Sequence, residues 1–388
     1  MSLVARRIRE GSKKSFGMFE KAMALAAGGA DLIHLEVGRP SHDTPGHIVE
    51  ATVEALRAGH HHYSDMRGLA ELRSAFAAKL AAENAMDVTA EQVLVTNGLT
   101  HGSYAAIMAT VDPGDEVILL EPYYPQHVGK IELAGGKVVM APLDANADFA
   151  IRADLIEAAI TPATKAIVLI NPCNPTGRVF TRAELEALAE LAIRHDLLVI
   201  SDEVYEAITF GAKHISIASL PGMAERTITL FAYTKAFAMD GWRLGCAIAS
   251  PELVAAMMKI TMNDVTHVNS FIQYGALEAT LNGSASLAEM VAEDRAKRDL
   301  VVRALNQMPG VVCPEPEGTI YAFADVRAIG MPSQVLAERI LEEAHVVVEA
   351  GSFYGPAGEG FLRVCFGSES RERIEEAMVR LGTFLGRL

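Results

Sequence analysis

The chain has 388 residues, half of them apolar, and a formal net charge of −15. That length allows two domains, or one large domain with an appendage, and a core that needs no staples. The negative balance opposes binding to nucleic acid through a general basic surface, and no run approaches the ~20 apolar residues of a membrane-spanning helix.

In chain order, the opening MSLVARRIREGSKKSF has cations but no apolar stretch behind them. It reads as a basic N-terminal arm rather than a secretory signal, so the expected location is the cytoplasm. GHHHY (59–63) is set aside as a metal site, because consecutive histidines imply no ligand geometry. QVLVT (92–96), EVILL (116–120), KAIVLI (165–170), LLVIS (197–201), RTITLFAY (226–233) and GCAIAS (245–250) are short and apolar on both faces. Strands buried between helix layers have that texture. TRAELEALAELAIRHD (181–196) opens on a Thr181/Glu184 capping box and has a 3.6-period apolar face. Strand, helix and strand repeated in this way predict an α/β fold with a mostly parallel sheet. From about residue 285 the texture changes to a long charged helix (287–307), strands near 319–326 and 360–367, and a closing helix (370–385). This predicts a second, smaller α+β domain. Cys173, Cys246, Cys313 and Cys365 lie far apart with no C-x-x-C pair, which reads as reduced core thiols. Asn282-Gly283-Ser284 is a glycosylation sequon only in form for a cytoplasmic chain.

Ligands of open α/β sheets bind beyond the carboxyl ends of the strands. After these runs come NGLTHG, NPCNPTG, SDEVY and TK, which gather Leu99, Thr100, Asn174, Asp202, Tyr205 and Lys235 at one edge. Taken singly, each reads equally as a turn or cap residue; four strand ends together do not. A lysine in apolar surroundings is available as an amine nucleophile. An arginine eight residues on, Arg243, and the amides of the Gly98–Leu99–Thr100 turn suit a phosphate dianion. An aspartate at a strand end can keep a ring nitrogen protonated. Amine, phosphate site and carboxylate together describe a pocket for pyridoxal 5′-phosphate.

NPCNPTGRVF, SDEVY and TKAFAMDGWRLGC resemble, in order and spacing, the motifs of class I/II (fold type I) aminotransferases, and the resemblance covers nearly the whole chain. It implies a seven-stranded-type sheet sandwiched by helices, with an N-terminal arm and part of the small domain at 1–44, a large cofactor-binding domain at 45–284 and a small domain at 285–388. It implies Lys235 as the Schiff-base lysine and proton carrier and Asp202 on the pyridine nitrogen. Asn174 and Tyr205 would contact the ring hydroxyl, and Arg243, Leu99 and Thr100 the phosphate. Tyr124 would stack on the cofactor ring, with His127 steadying the aspartate. Tyr63, in HHYSDMRGLAELR, would reach the phosphate of a neighbouring subunit, which implies a homodimer with shared sites. Arg363 and Gly38, with Asn174, would bind the substrate α-carboxylate. The implied activity is ping-pong transfer of an amino group from an L-amino acid to a 2-oxo acid.

Other readings stay beside these. Arg363 alternates with apolar neighbours and could point to solvent from a strand. Tyr124 could be a core aromatic and His127 an ordinary loop histidine. Ala232 replaces a common phosphate-binding serine and Asp240 a common threonine, and GRP (38–40) replaces the commoner Gly-Glu-Pro. The stretch 255–270, where aspartate enzymes carry a second arginine, has Lys259 and no arginine; Thr100 stands where another subgroup has lysine. A dicarboxylate preference is therefore not supported, and some segments resemble arginine:pyruvate members. The alternative activity is a β-lyase of the same fold. A DNA-binding regulator built on this fold lacks room ahead of residue 40, and a nicotinamide dehydrogenase lacks G-x-G-x-x-G after an early strand.

Overall fold

In the computed structural model of the chain the described residues are 3–11 and 17–388. Part of the basic arm expected over 1–16 therefore lies outside them; within it, Arg6–Arg9 form a single helical turn. The strands are β1 (Ile33–His34), β2 (Val93–Thr96), β3 (Glu116–Glu121), β4 (Lys137–Pro142), β5 (Thr164–Ile170) and β6 (Leu198–Asp202). They continue as β7 (Thr227–Ala232), β8 (Gly245–Ile248), β9 (Tyr321–Asp325), β10 (Val346–Val347), β11 (Glu349–Ala350) and β12 (Phe361–Cys365).

Seven strands form the large sheet in the order β2-β8-β7-β6-β5-β3-β4. All neighbours run parallel except β8, which is antiparallel to both β2 and β7. Successive side chains of a strand enter opposite faces, so the uninterrupted apolar runs feed two cores. Val117, Leu119, Val168 and Ile200 pack with Ala105, Ile107, Ile131 and Met257 of the helices Leu99–Thr110, Gln126–Ala134 and Pro251–Thr261. Ile118, Leu120, Ile167, Leu169 and Val199 meet Leu185, Leu188 and Leu191 of the helix Arg182–Arg194. Thr181 caps that helix: its Oγ1 accepts from Glu184 N at 3.3 Å while its own N donates to Glu184 Oε2 at 2.8 Å, a device that stabilises a helix by about 1 kcal/mol. The expected strands fall within two or three residues of the observed ones. The sequence pattern does not mark β4. It is an edge strand paired only with β3 and half-buried over much of its length, so it lacks the doubly buried pattern.

The second unit is the antiparallel sheet β11-β12-β9 with helices Ser284–Leu305, Ser333–Ala344 and Arg371–Leu385. Residues from the start of the chain complete it: β1 pairs in parallel with β10, and Met18, Ile33 and Leu35 share a core with Ile340, Val346, Ile374 and Leu381. All four cysteines are free and buried. Among the described residues, no helix is long and apolar enough to cross a membrane and no cluster of metal-ligating side chains occurs.

Candidate active site

The carboxyl ends of β2, β5, β6 and β7 open into a cleft of about 760 Å³, closed on its far side by β9, β12 and the turn after β11. Lys235 lies in the short helix Tyr233–Ala236 directly after β7. Its Nζ donates to the carbonyl of Gly38, and desolvation by the cleft walls pushes the ammonium down from the usual lysine range to about 8. Gly38 tolerates no side chain, since a Cβ there would sit 1.8 Å from the Tyr321 hydroxyl.

At the β2 end, Gly98 adopts φ +78, in the left-handed region that favours glycine, and starts the helix Leu99–Thr110. The turn is held from within: Asn97 N donates to His101 Nδ1 at 3.0 Å and Thr96 Oγ1 to Gly98 O at 3.2 Å. The guanidinium of Arg243 lies over it, with Nη2 2.6 Å from where a Gly98 Cβ would stand and Nη1 donating to Asp240 O at 2.8 Å. Leu99, Thr100, Asp240 and Arg243 all line the cleft; Ala232 does not. The pattern is an arginine facing a helix N-terminus whose first amides have no intrahelical partner.

At the β6 end, Asp202 is buried; its Oδ1 accepts from Val204 N at 3.2 Å and its Oδ2 lies 3.8 Å from His127 Nε2, beyond hydrogen-bond reach. His127 belongs to the helix Gln126–Ala134 and is fully buried, not an ordinary loop histidine. Neither ring nitrogen has a hydrogen-bond partner among the described residues, and burial lowers its proton affinity. Tyr124 lines the cleft with its ring 5.7 Å from His127, edge-on, and burial pushes its phenol up to about 12.

Arg363 is buried in β12 rather than pointing to solvent. Nη1 donates to Asn174 Oδ1 at 3.0 Å, Nη2 donates to the carbonyl of Glu36, and Nε has no partner among the described residues. The guanidinium lies 4.2 Å from the ring centre of Tyr321 and 4.9 Å from that of Tyr354, close enough for cation–π attraction. Tyr205 is buried, with its hydroxyl 2.6 Å from that of Tyr321. Glu36, Thr234, Tyr321, Glu349 and Tyr354 also line the cleft. Sequence reasoning missed them, although Glu36 and Tyr321 stand in segments singled out for Gly38 and for a strand.

Tyr63 does not reach this cleft. It is 87% exposed and stacks on His267 with ring centres 4.6 Å apart.

The family model for aminotransferases of class I and II matches residues 30–381. The chain is 39% identical to an aspartate aminotransferase of Pyrococcus abyssi over 93% of each chain. It is 38% identical to aromatic-amino-acid aminotransferase 2 of Thermococcus litoralis, again over 93% of each. The identity to an arginine–pyruvate transaminase of Pseudomonas aeruginosa is 37%, over 92% of this chain and 91% of the relative. Among solved structures, Thermus thermophilus aspartate aminotransferase with maleate superposes with a TM-score of 0.94 at 35% identity, covering 99% of this chain and 100% of that one.

Proposed function

The chain belongs to the class I and II aminotransferases, which move the amino group of an amino acid to a 2-oxo acid with pyridoxal 5′-phosphate, and on that footing we propose the part each residue of the cleft plays. The observation that carries the proposal is the convergence of Lys235, Asp202, Asn174, Tyr205 and Arg243 on one cleft from four different strand ends. These residues fit the cofactor. The Gly98 turn and Arg243 form a cradle for a phosphate dianion, Asp202 is a buried carboxylate for a protonated ring nitrogen, and Lys235 is a desolvated amine.

When bound, pyridoxal 5′-phosphate supplies an aldehyde carbon for amines and a cationic ring that draws electron density from the donor's α-carbon. Lys235 holds and moves the proton, and an amine near 8 serves both duties close to neutral pH. Arg363, anchored through Asn174, binds the α-carboxylate and fixes which α-bond faces the ring. Tyr205 and Asn174 would hold the ring hydroxyl, and Tyr124 would lie against the ring. His127, whose Nε2 lies 3.8 Å from Asp202 Oδ2, backs the aspartate.

The described residues lining the cleft include three cations, Lys235, Arg243 and Arg363, and four carboxylates, Glu36, Asp202, Asp240 and Glu349. Each cation has an assignment, Thr100 is neutral, and Phe19 and Val37 are exposed at 39% and 37%. The donor side chain we propose is therefore not acidic, with Phe19 and Val37 offering it an apolar surface. Tyr63 completes the site of a second copy in a homodimer. The protein is cytoplasmic, in keeping with its four free thiols, and is divided into the segments 1–44, 45–284 and 285–388. A β-lyase of the same fold is not favoured, since the matched relatives are named transaminases.

The test is a half-reaction: holoenzyme and single amino acids without a 2-oxo acid, following loss of the absorption band of lysine-bound cofactor. Conversion by apolar donors, and absence of that band from Lys235→Ala, are expected. Release of pyruvate and ammonia from a β-substituted amino acid would replace this reading with elimination.

A further inference from the structure

Glu349 in β11 and Arg363 in β12 are register partners of an antiparallel pair, so their side chains leave the same face of the sheet. Glu349 is buried and lines the cleft, yet among the described residues it makes no ion pair with the guanidinium. Its Oε1 accepts from its own neighbour Ala350 N at 3.1 Å, and its Oε2 accepts from Met18 N, also at 3.1 Å. Met18 opens the helix Met18–Ala27, and the next residue, Phe19, overlooks the cleft. Gly17, at φ +60, permits this approach, since a Cβ there would lie 2.0 Å from Glu349 Oε2.

The charged and titratable described groups facing Glu349 are few. Arg363 faces it from β12, and Glu36, whose carboxylate is paired with His34 at 2.9 Å, from the segment after β1; Tyr354 faces it from the turn after β11. Burial raises the Glu349 carboxyl to about 7 against the pull of Arg363. A substrate α-carboxylate arriving at Arg363 brings a second anion to the same buried wall. One guanidinium cannot compensate both, and a buried uncompensated carboxylate neutralises by binding a proton.

We propose that Glu349 takes up one proton from solvent when a substrate carboxylate docks on Arg363, and that the neutral carboxyl keeps the Met18 amide, and with it Phe19, at the cleft. The proton leaves hydronium or a buffer acid and joins a Glu349 oxygen, no bond between heavy atoms changes, and the proton returns to solvent when the carboxylate leaves. Glu349 is thus a positioning residue that acts through Arg363 and the Met18 helix. The inference rests on Arg363 being the carboxylate site.

The probe is the deamino analogue of the best donor, a carboxylic acid that cannot react, titrated calorimetrically into holoenzyme at pH 8 in HEPES and in Tris. The wild type should take up close to about one proton per site and Glu349→Gln close to none. The analogue's inhibition constant should rise toward about tenfold per pH unit above about pH 7 in the wild type and stay flat in the variant. No uptake by the wild type, or equal uptake by both proteins, overturns the proposal. Arg363→Lys separates the two layers: an unchanged inhibition constant there would discard the carboxylate site itself, whereas a loss of about tenfold or more, with equal proton counts in the wild type and Glu349→Gln, discards only the role of Glu349.

Discussion

Adding a single methyl group at Gly38 should disturb the binding of the substrate carboxylate without touching a charged group. The new Cβ would lie 1.8 Å from Tyr321 Oη and 2.9 Å from Cζ, whereas ordinary carbon contacts are about 3.5 Å. The ring must therefore retreat by roughly 1.5 Å, and Tyr321 is only 2% exposed. Retreat breaks the 2.6 Å contact with the Tyr205 hydroxyl, which costs about 1–3 kcal/mol for the buried group left unpaired. Overpacking adds about 1–3 kcal/mol. The face of Tyr321 also supports the Arg363 guanidinium at 4.2 Å, and a misplacement of about 1 Å at such a site lowers kcat/KM about 100-fold. Gly38→Ala should therefore unfold at clearly lower urea concentration and lose about two orders of magnitude in single-turnover kcat/KM. Tyr321→Phe in the same chain removes the hydroxyl at 1.8 Å but leaves the ring carbon at 2.9 Å, so it should restore part of both losses. An alanine variant with an unchanged midpoint and kcat/KM within about threefold of wild type would refute this packing account.

Because only the neutral amine attacks an aldehyde and Lys235 is held near 8 rather than 10.5, the rate of pyridoxal phosphate capture by apoenzyme should climb about tenfold per pH unit below 8 and level off above it. A flat profile between pH 6.5 and 9.5 contradicts that. In the donor panel, phenylalanine should exceed aspartate in kcat/KM by about tenfold or more, since a buried carboxylate without a partner is costly; an aspartate preference would place a cation in the cleft that the described residues of one protomer do not supply. Sedimentation should give about twice the 41.6 kDa chain mass, and mixing Tyr63→Ala with Lys235→Ala should restore activity beyond the sum of the two alone. Simple additivity would assign Tyr63 to the surface only.

The strands of the large sheet were legible because each is buried on both faces and so reads as an unbroken apolar run. β4 was not, since one of its edges meets no partner, and β1, β10 and β11, with two residues each, carry no period at all. Strand ends pointed to Asn174, Asp202 and Lys235, which the fold places in one cleft. The far wall had no comparable signal. Arg363 stands in an alternating strand that reads equally well as solvent-facing, and Glu36 joins Tyr321, Glu349 and Tyr354 only because the start of the chain folds onto its last hundred residues. Tyr63 is different again: its exposed ring has no assignment within one protomer.

That closure of the chain on itself has a cost in time. Ile33 pairs with Val346, so a ribosome that has added Ile33 must add 346 − 33 = 313 further residues before the partner strand exists, about 15–60 s at usual speeds of elongation. The seven strands of the large sheet all lie between residues 93 and 248 and can pair during that interval. Met18, Ile33 and Leu35 cannot enter their core until its C-terminal half emerges. For most of synthesis Met18, Ile33 and Leu35 therefore wait without their core partners beside a sheet already able to form.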